Sequence, residues 1–343
     1  MTPLTQRPAS RHAVVVVLLQ FYDAVSVNSG GGARCSKTGR LGFFRANDAI
    51  HRLQTEVNKQ LLRAKVSFKV SAHIPIENLP FMPRIQLQPD RLEELTGDLV
   101  RPPITTPTFL NSVPKCGTHL IKNIVRTFVP ADQHYEDVFI QIPILQRHAS
   151  AFNPNKPRLS WGHLLFSDNA GIALRDAYHI LMIRDPYDWV LARTRFFLSD
   201  NFQGNMENLK SGQLTLDEVM NLMIWGIHQK APPLRDIFEL NACAWMGTRA
   251  RILQFEELLK NVIEVESDAA ETFFYDLLSP MGITELPADW RDRVRLGSSK
   301  ELSATYRDNL SGKALELPDE LPETQKRLVD YAAPGLRQLL GYT

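Results

Sequence analysis

Cysteine is scarce in this chain of 343 residues: Cys35, Cys116 and Cys243 are odd in number and widely spaced. That excludes a disulfide framework and a cysteine metal site, and it points to a reducing, cytoplasmic compartment. No His, Cys, Asp or Glu grouping has metal-ligand spacing, so no metal is expected. Charge of one sign is lacking too, since 39 Lys+Arg against 38 Asp+Glu leave a net charge of +1. Nucleic acid is therefore not an expected partner. Long apolar runs are also missing. Residues 13–19 (AVVVVLL) follow Arg11 and His12 like the core of a signal peptide, but Gln20, Asp23 and the want of a small-residue cleavage site argue against that. The run is too short to cross a bilayer as a helix. It reads as a buried strand or a loosely held extension, with no firm membrane anchor and peripheral association left open.

The length suits one large α/β domain or two smaller ones. Residues 28–42 (NSGGGARCSKTGRLG) have the composition of a flexible linker. Residues 44–64 carry a helical pattern, a strand-like VSFKVSAHIPI follows, and Pro80, Pro83, Pro89, Pro102, Pro103 and Pro107 punctuate the next segment. An extension over 1–100, of unassigned role, and a main domain over 101–343 are expected. Within the latter, apolar runs at 138–145, 178–183 and 250–255 alternate with helical patterns at 189–196, 215–230, 233–247, 255–280 and 322–340. Residues 200–214 read as a mobile loop. The alternation predicts an α/β fold, a parallel β-sheet flanked by helices in three layers. No internal repeat is present.

The chain is organised around residues 106–128, TPTFLNSVPKCGTHLIKNIVRTF. Phe109, Leu110 and Val113 fit a buried strand that Pro114 ends, lacking an N–H for the ladder. Leu120, Ile121, Ile124, Val125 and Phe128 then recur as the apolar face of a helix. A strand, a tight turn holding Lys115, and a helix start make an anion site, because the free amides and the dipole point at one spot. A Walker A loop would place the lysine after the last glycine and a magnesium-binding Ser/Thr next to it. Here Lys115 precedes Gly117 and is followed by Cys116. An ordinary β–α turn with a solvent lysine is the plain alternative.

Pro-Lys-Cys-Gly-Thr-His-Leu resembles the 5′-phosphosulfate loop of sulfotransferases that use 3′-phosphoadenosine 5′-phosphosulfate (PAPS), usually Pro-Lys-Ser-Gly-Thr. A second match is Tyr178-His-Ile-Leu-Met-Ile-Arg-Asp-Pro-Tyr-Asp188, similar to the family's apolar strand ending in Arg-Asp/Asn-Pro. The resemblance implies a P-loop-NTPase-like sulfotransferase fold and PAPS as cofactor, leaving as 3′-phosphoadenosine 5′-phosphate (PAP), with no metal. It implies that Arg184 grips the 3′-phosphate, for which a permanently charged fork is apt. It also implies that Lys115, Cys116, Gly117, Thr118, His119 and Leu120 hold the 5′ side. The serine usually eight residues after the arginine is here Ala192, with Thr194 or Arg193 as substitutes. Phe255 stands where the family has an aromatic residue near the adenine, a core phenylalanine being the alternative. Arg307 and Gly312, in SATYRDNLSG, resemble the C-terminal phosphate-binding loop at stretched spacing.

In Trp-Gly-His-Leu, His163 resembles the family's catalytic histidine, and an imidazole can take a proton from an attacking hydroxyl. His119 is its rival; His148 and His179 read as structural. The expected function is transfer of a sulfonate from PAPS to a hydroxyl or amine of a small-molecule, lipid or glycan acceptor. His163 would be the base, and Lys115 with the loop amides would stabilise the charge that develops. A P-loop kinase-like protein and a PAP-binding module without turnover are the alternatives. Residues 130–160 and 200–235 are the expected acceptor walls, and a homo-oligomer is left open.

Overall fold

Thr108–Ser112 forms strand β1, and all five of its residues are buried. The computed structural model describes residues 84–85, 90–199, 202–203, 206–302 and 317–343. The helical pattern at 44–64, the 28–42 linker, Arg307 and Gly312 lie outside them. The main body reaches further back than the boundary expected at 101. In helix α1 (Leu92–Thr96) Leu92 is fully buried, and Arg126 bridges to Asp90 and Glu93.

From β1 the chain turns into α2 (Thr118–Arg126), reaches β2 (His134–Ile140) and β3 (Leu159–Gly162), then passes through α3 (Asp168–Ala173) to β4 (Tyr178–Ile183). Helix α4 (Pro186–Leu198) follows, then α5 (Leu216–Trp225), α6 (Leu234–Asn241) and β5 (Arg251–Gln254). Helices α7 (Phe255–Ile263), α8 (Asp268–Leu278), α9 (Trp290–Ser298), α10 (Glu323–Ala332) and α11 (Leu336–Leu339) complete the described chain. The five strands make one parallel sheet in the order β2-β3-β1-β4-β5. Its central strands are buried on both faces, as a sheet covered on both sides requires. The expected α/β class is the observed one.

Several elements differ from expectation for local reasons. The 138–145 run is the end of β2 followed by a 3₁₀ stretch at Ile142–Phe152 that begins with Pro143 near its start. The C-terminal helix is two helices, because Pro334 cannot continue the ladder after Ala332. Helix α9 was not foreseen. It packs on α2 so closely that a Cβ on Gly297 would lie 2.5 Å from the Ile124 Cα. Within 200–214 the described residues include a 3₁₀ turn at Glu207–Leu209, with Leu209 buried.

The strand order positions the site. After β1 the chain crosses toward β2 and β3; after β4 it crosses the other way, to β5. Adjacent β1 and β4 thus send their connections in opposite directions, which opens a crevice beyond their carboxyl ends. The residues over that crevice are 113–117 and 184–186.

Candidate active site at the carboxyl edge of the sheet

The loop after β1 is held from three sides. Val113 N–H donates to Met182 O at 3.0 Å, and Cys116 N–H donates to Val113 O at 3.2 Å. Trp189 Nε1–H, from α4, donates to Pro114 O at 2.6 Å. Lys115 and Gly117 both take positive φ, 72° and 88°. The cost is small only for Gly117, which caps α2 without a side-chain hydrogen bond. A Cβ there would lie 2.5 Å from the Phe255 ring. Gly117→Ala is expected to lower stability by about 1–3 kcal/mol through left-handed backbone strain and displacement of that ring. A drop in the urea midpoint at unchanged slope is the measurement.

This geometry leaves anion-seeking groups unspent. The amides of Gly117, Thr118, His119 and Leu120 donate to nothing among the described residues. Lys115 lays its ammonium over the Phe196 ring, 3.1 Å from the centroid. Burial, and then Arg193, pull its pKa down to about 7. Arg184, at the end of β4, stacks its guanidinium 4.5 Å from the Phe255 centroid, and its buried Nε has no hydrogen-bond partner among the described residues. Phe255 therefore lies between the loop glycine and Arg184 and joins the two. It opens α7 rather than ending β5.

His163 enters from the end of β3. Its Nδ1 is 3.0 Å from Ser112 O and 3.0 Å from Ser112 Oγ. A carbonyl can only accept, so Nδ1 carries the proton and Nε2 the free lone pair. The ring centroid lies 5.4 Å from that of Phe139, and the His119 ring lies 5.6 Å from the same phenylalanine. Burial, reinforced by Lys115 and only partly offset by the bond to Ser112, brings the His163 pKa down to about 4. Burial first, then Lys122, Lys115 and His163, push His119 well below the ordinary value. Both imidazoles are neutral near pH 7.

Three expected ligands are placed differently. Cys116 is fully buried and its amide is already spent on Val113 O; burial raises its thiol pKa well above the usual value. Thr194 is fully buried and donates its hydroxyl to Val190 O at 2.8 Å, within its own helix. Arg193 is buried as well, donating to Met223 O and Pro232 O at 2.9 and 2.8 Å. Neither residue replaces a donor at half-buried Ala192. The Thr118 hydroxyl rests on Ser112 Oγ. His148 bonds the Tyr135 hydroxyl, while His179 is buried between Phe109 and Trp245.

Other contributors were missed. Asn111 pairs with the backbone of Leu164, accepting from its N–H at 2.8 Å and donating to its carbonyl at 3.0 Å, which fixes the residue after His163. Asn241 donates to Ser112 O at 2.8 Å. The signal was two polar residues, Asn111 and Ser112, at the end of an otherwise apolar buried strand. Their burial forces each to find partners.

No family model matches this chain, and no curated protein matches it. Among solved structures it is similar to a mouse sulfotransferase, SULT7A1, in complex with PAP. The TM-score is 0.44 and the identity 13%, over 75% of this chain and 95% of that one. Among the described residues no helix is long and apolar enough to cross a membrane. None of their His, Cys, Asp and Glu side chains gather in groups of three or more that could hold a metal ion.

Proposed function

We propose that this protein is a sulfotransferase that takes its sulfonate from PAPS. The reading is carried by one observation: Lys115 and Arg184, two cations without carboxylate partners among the described residues, flank Gly117 and Phe255 beside a row of amides that donate to none of those residues. The residues present fit a nucleotide with a phosphate at each end. The Gly117–Leu120 amides and Lys115 would hold its 5′ side, Arg184 its 3′-phosphate, and Phe255 offers an aromatic face. Bound there, PAPS supplies an activated sulfonate. The chain's own part is to orient it, to neutralise charge on the leaving side through Lys115 and the amides, and to take the acceptor's proton at His163 Nε2. A hydroxyl acceptor, in a small molecule, lipid or glycan, is the simplest partner for that nitrogen. The loss of a donor at Ala192 favours a PAP-binding module without turnover as the second reading, and a sulfonate-transfer assay over an acceptor panel separates the two.

The test is calorimetric titration with PAP, adenosine 5′-phosphate and ATP with magnesium. PAP should bind far more tightly than the other two. A preference for ATP with magnesium would sink the reading. The titration should also take up protons. A lysine with a pKa of about 7 is largely neutral at pH 8 and must regain its proton against an anion. Binding at pH 8 in buffers of different ionisation enthalpy should therefore show uptake that shrinks at pH 6, where the amine is already charged.

A further inference from the structure

Arg184 is followed by an acid, Asp185, and lies near another, Glu256, yet pairs with neither. The reason lies at the other end of the chain. Arg337, on α11, sets a two-pronged fork on Asp185, with Nε at 3.1 Å from Oδ1 and Nη2 at 2.8 Å from Oδ2. Both side chains are 16% exposed, so the pair is well shielded from solvent. Asp185 Oδ1 also accepts from Tyr187 N–H at 2.9 Å, capping α4. Glu256 is likewise occupied: Oε1 accepts the Asp185 amide at 3.1 Å and Oε2 the Tyr342 hydroxyl at 2.8 Å. Gln254 Nε2 donates to Leu340 O at 3.1 Å and fastens the same segment to the end of β5. Further support comes from the Tyr187 ring, which lies 4.0 Å from the Arg337 guanidinium and sends its hydroxyl to Asp330.

We infer that the C-terminal segment acts as a positioning device for Arg184, with Arg337 and Tyr342 engaging Asp185 and Glu256 so that neither carboxylate competes with a bound phosphate for the Arg184 guanidinium. A carboxylate freed next to that arginine would either pair with it or repel the incoming dianion. A bidentate arginine suits the task because it holds both oxygens of Asp185 in one plane. Arg337 is thus a positioning residue that acts through Asp185. The inference rests on the reading of Arg184 as the 3′-phosphate ligand.

The experiment measures, for each variant, the ratio of affinities for PAP and for adenosine 5′-phosphate, together with the melting temperature. Arg337→Ala should reduce the ratio by about ten- to thirtyfold, as a charge uncovered beside a bound charge does. Adenosine 5′-phosphate affinity should hardly change. Adding Asp185→Asn to Arg337→Ala should restore most of the ratio, since the amide keeps its oxygen for Tyr187 N–H but carries no charge. Tyr342→Phe, a mild change at the chain end, should shift the ratio in the same direction by less. An unchanged ratio in Arg337→Ala, or no recovery in the double variant, overturns the inference and reduces Arg337 to a packing role. A wild type that binds both nucleotides alike overturns the sulfotransferase reading itself, and this inference with it.

Discussion

Arg184→Ala is expected to lower PAP affinity by about 30- to 700-fold, or roughly 2–4 kcal/mol, the range for removing one partner of a buried charge pair. Adenosine 5′-phosphate should lose little, because it lacks the phosphate that the arginine would hold. The fold should survive. The Arg184 side chain stacks on Phe255 but makes no hydrogen bond through its buried Nε, so its loss leaves no described acceptor unsatisfied. Arg184→Lys should recover only part of the affinity, since a point charge cannot reproduce a planar fork. Isothermal titration of the three proteins is decisive. Equal losses for both nucleotides would mean that the arginine shapes the pocket without selecting the phosphate.

The second large effect belongs to His163. Replacing it by Ala or Gln should reduce kcat by about 10²- to 10⁴-fold, the usual contribution of a positioned base. PAP binding should be retained, because the imidazole lies on the Ser112 and Phe139 side of the crevice. The pH profile gives a sharper check. A base acts when neutral and is lost as pH falls through its folded pKa. With that value near 4 instead of the ordinary 6.5, activity should persist well into the acid range before it declines. Full kcat in the Ala variant would pass the role to His119, the other imidazole on Phe139.

What could be read from the sequence was local. The strand, loop and helix at 108–126 follow from a run of apolar residues, a proline that cannot donate, and a glycine that tolerates positive φ. The β4 strand and its terminal Arg184 are legible for the same reason. Choices made by distant partners were not legible. Cys116 looked like a ligand because it replaces a serine in the loop, yet its amide turns back to Val113 and its thiol into the core. Thr194 is out of reach because α4 turns that face into the core and spends its hydroxyl on Val190 O. Ser112 and Asn111 lay inside the motif, but their roles depend on His163, Leu164 and Asn241, which reach them only when β1, β3 and α6 are assembled. Nothing near Arg337 and Tyr342 in sequence indicates their partners Asp185 and Glu256.

The four parts of the crevice arrive on the ends of β1, β3, β4 and β5, strands joined to one another by long crossovers. Such parallel pairings join residues far apart along the chain, and the entropy of closing those intervals is lost before any contact offsets it. No early hairpin or single helix of this protein can carry even a weak version of the site. The proposed nucleotide site would thus be completed only when these strands are assembled, and a chain halted after β4 would hold Lys115 and Arg184 without the Phe255 ring that lies between them.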